Sequence, residues 1–432
     1  MSNIADDFAR FRTPWYQISA NVHAGTLGSL SEAVNCDICV IGGGFSGLSA
    51  AFELSLRGFS VIILEKGKIA SAASGKNGGQ MQRGFTKSPR YLIDKYGRDD
   101  AKLMCDVSVE GIKLIQQRIA DFNIDCGFKP GVLVAAFKPS QLADLQADTD
   151  GWTELGYHDM HMLDAAGTQN LVHVSQYIGS QLDEVGGHFH PYNYAQGLAH
   201  AAISKGCRIY DLTRVTAIEH WDNPRVITDK GEVRAKYVIL GGAIRAKGVE
   251  DMTRRSITAA AHIIATEPLG EDLAKSIMSR EVAVSDARFI MDYYRLTADR
   301  RLLFGGNCNY SDIDMPGEDK RLRERMLKIF PQLSKTKIDH CWYGPLEFTI
   351  NRLPGLGRLS KNVYYAHGFG GQGVVATNIL GKVVAEAVAG QAERFDVFTK
   401  IKHANFPGGA ALKRPLFVLG MTWYRLRDAL AQ

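Results

Sequence analysis

The stretch Asp37-Ile-Cys-Val-Ile-Gly-Gly-Gly-Phe-Ser-Gly-Leu-Ser-Ala-Ala51, followed after one predicted helix by Ser60-Val-Ile-Ile-Leu-Glu65, determines the fold of this chain. Residues 38–41 form a continuously apolar run, which is typical of a parallel strand buried on both faces. The glycines that then fill the G-x-G-x-x-G spacing are Gly42, Gly44 and Gly47. Strand, glycine turn, helix, second strand and acid, in this order, predict a dinucleotide-binding unit.

Each residue of this unit has its own physical role. Gly42 permits the tight turn, Gly44 lets a pyrophosphate approach the backbone, and Gly47 lets the helix pack closely on the strand. The helix start presents free N–H groups and the positive end of its dipole to the phosphates. Glu65 can accept hydrogen bonds from the adenosine ribose, and its charge would repel the 2′-phosphate of NADP. The turn alone does not distinguish FAD from NAD.

Composition predicts a soluble globular protein with two domains or one elaborate domain, since the 432 residues are 45% hydrophobic and 22% charged. A net charge of +5 without a basic run indicates no nucleic-acid partner. Seven scattered cysteines indicate a reducing compartment rather than a disulfide framework. The N-terminus carries acids and no apolar core of a secretory signal, so we expect a cytoplasmic location. We predict no metal site.

No stretch approaches the roughly 20 apolar residues of a transmembrane helix. The most apolar terminal segment runs from Pro415 to Tyr424 and is followed by Arg425 and Arg427. This segment either docks on the body of the protein, which we favour, or lies on a partner or a membrane surface.

A second glycine cluster lies close to the C-terminus, between a predicted strand at residues 363–366 and a predicted helix that ends near residue 388. Gly368, Gly370 and Gly373 again match G-x-G-x-x-G, but no second strand ending in an acid follows the helix. We therefore expect no separate NAD site there. A helix start that exposes backbone N–H groups is suited to hold an electron-rich ring.

Several stretches together resemble the D-amino-acid-oxidase type of FAD oxidoreductase, which includes glycine and sarcosine oxidases, from about Trp15 to Asp428. The chain is most similar to the branch that acts on gamma-glutamylated amines. The stretches that carry the resemblance are Cys36-Asp-Ile-Cys-Val-Ile-Gly-Gly-Gly44, Ala73-Ser-Gly-Lys-Asn-Gly-Gly-Gln80, Met291-Asp-Tyr-Tyr-Arg-Leu-Thr-Ala-Asp299, Ala392-Glu-Arg-Phe-Asp396 and Phe406-Pro-Gly-Gly409.

The resemblance implies an α/β fold, with a Rossmann-like FAD-binding domain and an interleaved α+β substrate domain built on a mixed sheet. The FAD-binding domain would comprise residues 1–97, 187–256 and 346–432. The substrate domain would comprise residues 98–186 and 257–345.

The resemblance also implies the cofactor contacts. The pyrophosphate would lie on Gly42, Gly44 and Gly47, with Gly242 near the phosphates. The ribose would meet Glu65, and the adenine would meet the backbone of Val215. The ribityl chain and flavin would run along Ser74, Asn77, Gly78, Gly79 and Gln80. The flavin N1/C2 edge would face backbone donors of Gly370, Gly371, Gln372 and Gly373. Further implied contacts are Phe45, Ser46, Lys66 and Val374.

The chemistry implied is oxidation of a neutral amine. A hydride passes from the α-carbon to flavin N5, the imine hydrolyses to an aldehyde, and O2 or another acceptor reoxidises the flavin, O2 giving H2O2. The sarcosine-oxidase branch grips its substrate carboxylate with a lysine that is missing here near Val375, and its oxygen-activating lysine is missing from residues 301–306. We therefore expect a longer amine with a distal carboxylate, such as gamma-glutamylputrescine in polyamine catabolism. The alternatives are a sarcosine- or glycine-type oxidase, or a flavin dehydrogenase that passes electrons to a membrane quinone.

Candidate catalytic and substrate-binding residues are Tyr293, Arg295, Arg352 and His367. The two arginines can bind a carboxylate bidentately, or they form structural ion pairs with acids such as Asp292 or Glu347. His188 and His190 are structural or face the substrate.

Cys341 falls near the position of the cysteine that bonds covalently to flavin in sarcosine oxidases. Because buried free cysteines usually serve packing, we expect FAD to be bound without a covalent link.

Overall fold

The computed structural model describes residues 11–220, 222–288, 291–309, 317–409 and 412–420. Within these residues the strands are β1 Ala33–Ile41, β2 Val61–Leu64, β3 Gln80–Met81, β4 Lys129–Ala136, β5 Met160–Asp164, β6 Gly179–His188, β7 Arg208–Tyr210, β8 Val215–Glu219, β9 Arg225–Thr228, β10 Glu232–Gly241, β11 Ser256–Thr266, β12 Ala283–Asp286, β13 Asp292–Leu296, β14 Leu302–Asn309, β15 Ile338–Thr349, β16 Gly355–Ser360 and β17 Val363–His367. The helices are α1 Trp15–Ile18, α2 Phe45–Leu56, α3 Pro89–Tyr96, α4 Arg98–Asp121, α5 Pro139–Glu154, α6 Ala165–Leu171, α7 Pro191–Ser204, α8 Glu250–Arg255, α9 Glu271–Lys275, α10 Glu318–Ile329, α11 Gly373–Val388 and α12 Glu393–Thr399.

The first sheet has the strand order β16-β17-β10-β1-β2-β7, with β8 and β9 attached beside β10. The strands β17, β10, β1, β2 and β7 run parallel to one another, whereas β16 and β9 pair antiparallel with β17 and β10. Their central residues are fully buried because helices cover one face and the β8–β9 hairpin covers the other. The two glycine turns follow β1 and β17, so both lie at the carboxyl edge of this sheet, where α/β folds bind their ligands.

The second sheet has the strand order β15-β11-β14-β13-β12-β4-β6-β3, with β5 paired to β6. Its pairs are antiparallel except for β12 and β4, which are parallel. One sheet is thus mainly parallel and the other mixed, as the sequence predicted for the fold class.

Helices α2 and α11 pack directly against each other and join the two glycine turns. A Cβ on Gly381 would lie 2.5 Å from the carbonyl oxygen of Ser46, so the helices touch backbone to backbone. Ser49 Oγ also donates to the carbonyl of Asn378 at 2.5 Å. Helix α4 packs on α11 at Gly111 and joins the same core cluster, although the predicted boundaries assign it to the substrate domain. Those boundaries stay a prediction.

The strand predicted at residues 363–366 is β17, and the helix predicted to end near residue 388 is α11. Residues 139–170 contain α5, β5 and most of α6, and the side chains of β5 are half-buried or exposed. Strand β15, at the edge of the second sheet, extends from Ile338 to Thr349. A half-exposed edge strand has no continuous apolar pattern, and only pairing to a neighbouring strand defines its length.

Among the described residues, no single helix is long and apolar enough to cross a membrane. Only α11 and α12 taken together reach that length and hydropathy, and they are bent by 117°. A helical run at residues 412–420 lies against the body, where the Phe417 ring contacts Phe348 and Phe406. The rest of the terminal segment, with Arg425 and Arg427, lies outside the described residues.

Candidate active site

The first glycine turn is built for contact between backbones. Gly42 has a φ of +107°, and a Cβ on Gly47 would lie only 2.0 Å from the Gly42 carbonyl oxygen. Gly241, which precedes Gly242, lies against the same turn, since a Cβ on Gly42 would be 2.9 Å from its oxygen. Gly44 supplies no side-chain cap to helix α2, so its first N–H groups remain available except that of Phe45, which donates to Ser74 Oγ.

Glu65 braces this turn from the end of β2. Its Oε2 accepts the Gly43 N–H at 2.7 Å, and its Oε1 accepts the Gly67 N–H at 2.8 Å. A carboxylate has about four acceptor sites, so two remain for ribose hydroxyls. The Thr213 N–H donates to the Glu65 carbonyl at 2.8 Å, which brings the start of β8 at Val215 close to the same point. Lys66 is exposed beside it.

The small-residue loop at 73–80 folds back onto the first turn. Ser74 Oγ accepts the Phe45 N–H at 2.9 Å. Asn77 fixes the loop, because its Nδ2 donates to the Ser74 carbonyl at 2.8 Å and its Oδ1 accepts the Gly79 N–H at 2.8 Å. Gln80 Nε2 then donates to the Val284 carbonyl at 3.1 Å, which ties the loop to the second sheet.

Arg295 is buried and holds this loop in place. Its Nε donates to the Gly78 carbonyl at 2.7 Å, and its Nη2 donates to the Phe189 carbonyl at 3.0 Å and to Tyr16 Oη at 3.1 Å. Nη1 donates to the Leu296 carbonyl at 3.1 Å. Four of the five guanidinium N–H groups are thus engaged with protein oxygens. A substrate carboxylate would have to compete with these bonds.

Tyr293 lies flat between two glycines. A Cβ on Gly78 would lie 2.9 Å from its Cε2, and a Cβ on Gly305 would lie 2.2 Å from its Cζ. The side chain is half-buried, and burial raises the pKa of its hydroxyl well above the ordinary value. The hydroxyl has no hydrogen-bond partner within the described ranges. It therefore stays protonated and can form hydrogen bonds with a ligand.

The second glycine turn carries its free N–H groups at the start of α11. Gly368, Gly370 and Gly371 all have positive φ values, of +70°, +65° and +100°. The Gly370 N–H is engaged, because it donates to the Glu347 carbonyl at 3.0 Å. Helix α11 begins after Gln372 without a side-chain cap, so the N–H groups from Gly371 onwards can face a ligand.

The side chains around this turn include Arg352, which has an unusual backbone φ of +64°. Its carbonyl accepts the Thr86 hydroxyl at 2.5 Å, and its guanidinium lies 5.8 Å from the Phe348 ring centroid. Gln372 Nε2 donates to Gln82 Oε1 at 3.3 Å, and Gln82 Nε2 donates to Ser285 Oγ at 3.2 Å. These amides link the turn to the second sheet. Val374 is buried in the core below them.

The His367 side chain lies in a buried polar cluster beside the turn. Its Nδ1 lies 3.4 Å from Glu347 Oε1, and a Cβ on Gly355 would lie 2.8 Å from its Nε2. The His403 ring is its other neighbour, at 6.5 Å between centroids. This placement favours a supporting role, and a catalytic role stays a prediction.

The two earlier histidines differ in their surroundings. His190 caps α7, where its Nδ1 accepts the Asn193 N–H at 3.1 Å, and its Nε2 lies 3.0 Å from Ser19 Oγ. Burial and the nearby Arg295 lower the pKa of His190 to about 3, so it is neutral. His188 is fully buried, and burial lowers its pKa well below the ordinary value.

Cys341 and its neighbour Trp342 point to opposite faces of β15. Cys341 is fully buried in the cluster that packs under α10. Trp342 packs edge-on against Tyr16 on the other face, and its Nε1 donates to the Lys76 carbonyl at 3.0 Å.

Two residues of this region were not predicted as site residues from the sequence. Lys76 is half-buried with its ammonium 5.7 Å from the Tyr343 ring centroid, and burial lowers its pKa. No acid pairs with it among the described residues. From the sequence we predict Glu347 only as an ion-pair partner of an arginine. A single lysine within the small-residue run 73–80 indicates a possible role for Lys76. No pattern in the neighbouring sequence indicates a role for Glu347.

The geometry fits FAD at both ends. Gly42, Gly43, Gly44 and Gly47 leave no room for side chains at the first turn, where a pyrophosphate needs the backbone. A Cβ on Gly242 or Gly371 would meet no atom within 4 Å, so the protein leaves open space at these points. Gln372 Oε1 is buried without a hydrogen-bond partner in the described part of the chain, and an isoalloxazine ring carries a matching N–H donor.

Comparison with known proteins agrees with this geometry. Residues 37–387 match the family model described as FAD dependent oxidoreductase. The chain is 41% identical to gamma-glutamylputrescine oxidoreductase of Escherichia coli K12 over 418 residues, which is 96% of this chain and 98% of that enzyme.

Solved structures of low identity share the fold. Glycine oxidase from Geobacillus kaustophilus matches with a TM-score of 0.68 at 20% identity, over 83% of this chain and 95% of that one. L-alpha-glycerophosphate oxidase from Mycoplasma pneumoniae with FAD bound matches with a TM-score of 0.64 at 18% identity, over 87% and 97%. The match to the family model and the identity to the Escherichia coli enzyme confirm the family predicted from the sequence: the chain belongs to the FAD-dependent oxidoreductases.

Proposed function

We propose that this enzyme oxidises gamma-glutamylputrescine or a closely related gamma-glutamylated amine. The observation that carries the proposal is the 41% identity to the Escherichia coli enzyme of that name over 96% of the chain. The similarity spans both glycine turns and the second sheet, so it is not confined to the cofactor site.

FAD held by the two glycine turns would supply the hydride acceptor for the carbon that bears the amine, and hydrolysis of the oxidised product would give an aldehyde and ammonia. The protein contributes position and electrostatics. The Tyr293 hydroxyl, which is half-buried and unpaired within the described ranges, is suited to orient the amine. Arg295 and Asn77 hold the loop beside it through the bonds to Gly78 and Gly79.

The distal carboxylate of the substrate needs a cation, and Lys76 and Arg352 are the proposed ones. Lys76 has no acidic partner among the described residues. Burial disfavours its charged form, and a substrate carboxylate beside the ammonium would stabilise that form. Arg352 offers a guanidinium above the Phe348 ring. Arg295 is a weaker candidate than predicted, because its donors already bind carbonyl oxygens.

We propose that the FAD is bound without a covalent link and that O2 is its acceptor. The burial of Cys341 on the face of β15 opposite Trp342 supports the first point. A cytoplasmic location remains our proposal, supported by the seven cysteines, none of which forms a disulfide.

Anaerobic bleaching of the flavin absorbance tests the substrate proposal. We expect gamma-glutamylputrescine to bleach the holoenzyme, and putrescine, glycine and sarcosine to do so at least tenfold less efficiently, because they lack the long amide-linked carboxylate. Bleaching by glycine or sarcosine alone would contradict the proposal. Admission of air then tests the acceptor: return of the colour supports O2, whereas colour that returns only with a quinone refutes it.

The same assay tests Lys76. The Lys76→Met enzyme should require at least about tenfold more gamma-glutamylputrescine for half-maximal bleaching while its response to putrescine is unchanged, since a hydrogen bond to a charged group contributes about 1.5–3 kcal/mol. Lys102→Met is the matched control, because Lys102 also lies over a tyrosine ring, 5.0 Å from the Tyr157 centroid. If Lys76→Met and Lys102→Met need the same concentration of gamma-glutamylputrescine for half-maximal bleaching, Lys76 does not bind the substrate.

A further inference from the structure

We propose that Glu347 is a positioning residue for FAD. No strand that ends in an acid follows the second glycine turn in the sequence, and Glu347 takes the place of that acid. The proposal depends on the cofactor and not on which amine is oxidised. It concerns the loop of residues 368–373, whose free N–H groups start helix α11.

Glu347 contacts the loop through both its side chain and its backbone. Its Oε2 accepts the Gly368 N–H at 2.8 Å, and its carbonyl accepts the Gly370 N–H at 3.0 Å. Next along β15, Phe348 forms an isolated bridge with Phe369. Three consecutive loop residues are therefore held by two consecutive residues of one strand.

The carboxylate is itself fixed by a buried polar cluster. Its Oε1 accepts the Ser256 hydroxyl at 2.6 Å and lies 3.4 Å from His367 Nδ1, and the side chain is 12% exposed. Burial alone would raise the pKa of Glu347, but the bonds from His367, Ser256 and Gly368 lower it below the ordinary value. The group is therefore charged at neutral pH, and a charged acceptor forms the stronger hydrogen bond to a backbone N–H.

Strand β15 serves both loops that the flavin needs. Five residues before Glu347, Trp342 Nε1 donates to the Lys76 carbonyl at 3.0 Å, which attaches the 73–80 loop to the same strand. One strand at the edge of the second sheet thus sets the distance between the two flavin-side loops.

The loop needs such an anchor because of its conformation. Gly368 and Gly370 both lie in the left-handed region, with φ values of +70° and +65°, and glycine has wide conformational freedom in the absence of other constraints. An unanchored loop would have to become ordered when FAD binds, and that ordering would weaken the affinity. Glu347 holds the loop in its bound conformation before FAD binds, so this loss of affinity does not arise.

The test compares Glu347→Ala and Glu347→Gln with the control Glu386→Gln. Glu386 is a fair match, since its side chain is also 12% exposed and pairs with Arg394 on helix α12, away from both glycine turns. The measurements are the FAD dissociation constant by flavin fluorescence, the visible circular dichroism of the bound flavin, and the melting temperature of the apoprotein.

We expect Glu347→Ala to weaken FAD binding at least about tenfold and to change the flavin dichroism, because it leaves the Gly368 N–H without its acceptor. Glu347→Gln should restore part of the affinity, since its amide oxygen can still accept that N–H. Glu386→Gln should bind FAD as the wild type does. If the alanine variant does not fold, the FAD affinity and the flavin dichroism of the isosteric glutamine variant test the proposal instead.

FAD affinity within twofold of the wild type and an unchanged dichroism in Glu347→Ala, or in Glu347→Gln where the alanine variant does not fold, together with a lowered melting temperature, would show that Glu347 only stabilises the fold. That result would overturn the proposal. It would leave the substrate assignment untouched, because that assignment depends on bleaching by the amine.

Discussion

The two glycine-rich turns of this protein perform similar tasks but are assembled in different ways. Both follow a parallel strand of the first sheet, both start an uncapped helix, and in both a glutamate Oε2 accepts a glycine N–H, at 2.7 Å from Gly43 and 2.8 Å from Gly368. Glu65 comes from the next strand of the same sheet, whereas Glu347 precedes its turn and belongs to the second sheet. The first turn is thus a local unit, and the second depends on contact between the sheets.

The largest effect that separates the two turns is expected from Gly47→Ala. The new Cβ would lie 2.0 Å from the Gly42 carbonyl oxygen, so β1 and α2 would have to move apart. Because this contact lies in the core, we expect a loss of about 3 kcal/mol or more in unfolding free energy, above the usual 1–3 kcal/mol of overpacking, and loss of FAD. Chemical denaturation of the apoprotein measures the first quantity. A variant as stable as the wild type would show that close contact between Gly47 and Gly42 does not determine the structure of the first turn.

Gly371→Ala is the counterpart at the second turn. Its Cβ would meet no atom within 4 Å, so only the φ of +100° opposes the substitution, at about 1–3 kcal/mol. The apoprotein should fold, but the methyl group would enter the open space assigned to the flavin, and FAD affinity should fall at least tenfold. Unchanged FAD affinity in a folded Gly371→Ala protein would show that the second turn does not face the cofactor.

The smallest expected effect is a change in the stability of the protein at low pH. The pKa of Glu347 is lower in the folded state than its ordinary value of 4.5, so its ionised form stabilises the fold at higher pH, and this contribution is lost as pH falls through the folded-state pKa. The stability difference between wild type and Glu347→Gln should be constant well above the ordinary pKa of 4.5 and shrink as the pH falls below it. Urea unfolding of both apoproteins between pH 3 and 7 measures it. A difference that grows in acid would contradict the assignment.

The contrast between the turns also explains what the sequence could predict. The strand, glycines and acid of the first unit lie within residues 37–65, so local pattern was sufficient to identify them, and the structure brings Glu65 to the turn as expected. Family resemblance added the role of the second turn.

Long-range contacts explain what the sequence could not predict. The partners of Arg295 are the carbonyls of Gly78 and Phe189, which are 217 and 106 residues away in the chain. A buried arginine in an aromatic setting looks the same in sequence whether it binds carbonyls or a substrate. Glu347 lies in a different sheet from the glycines that it holds, and no periodicity marks such a contact.

We propose that both glycine turns hold a single FAD, bound without a covalent link. Acid precipitation of the purified holoenzyme, followed by chromatography of the supernatant, is the decisive measurement. We expect one equivalent of FAD per chain in the supernatant and a colourless pellet. A yellow pellet, two nucleotide equivalents per chain, or a nucleotide other than FAD would contradict it.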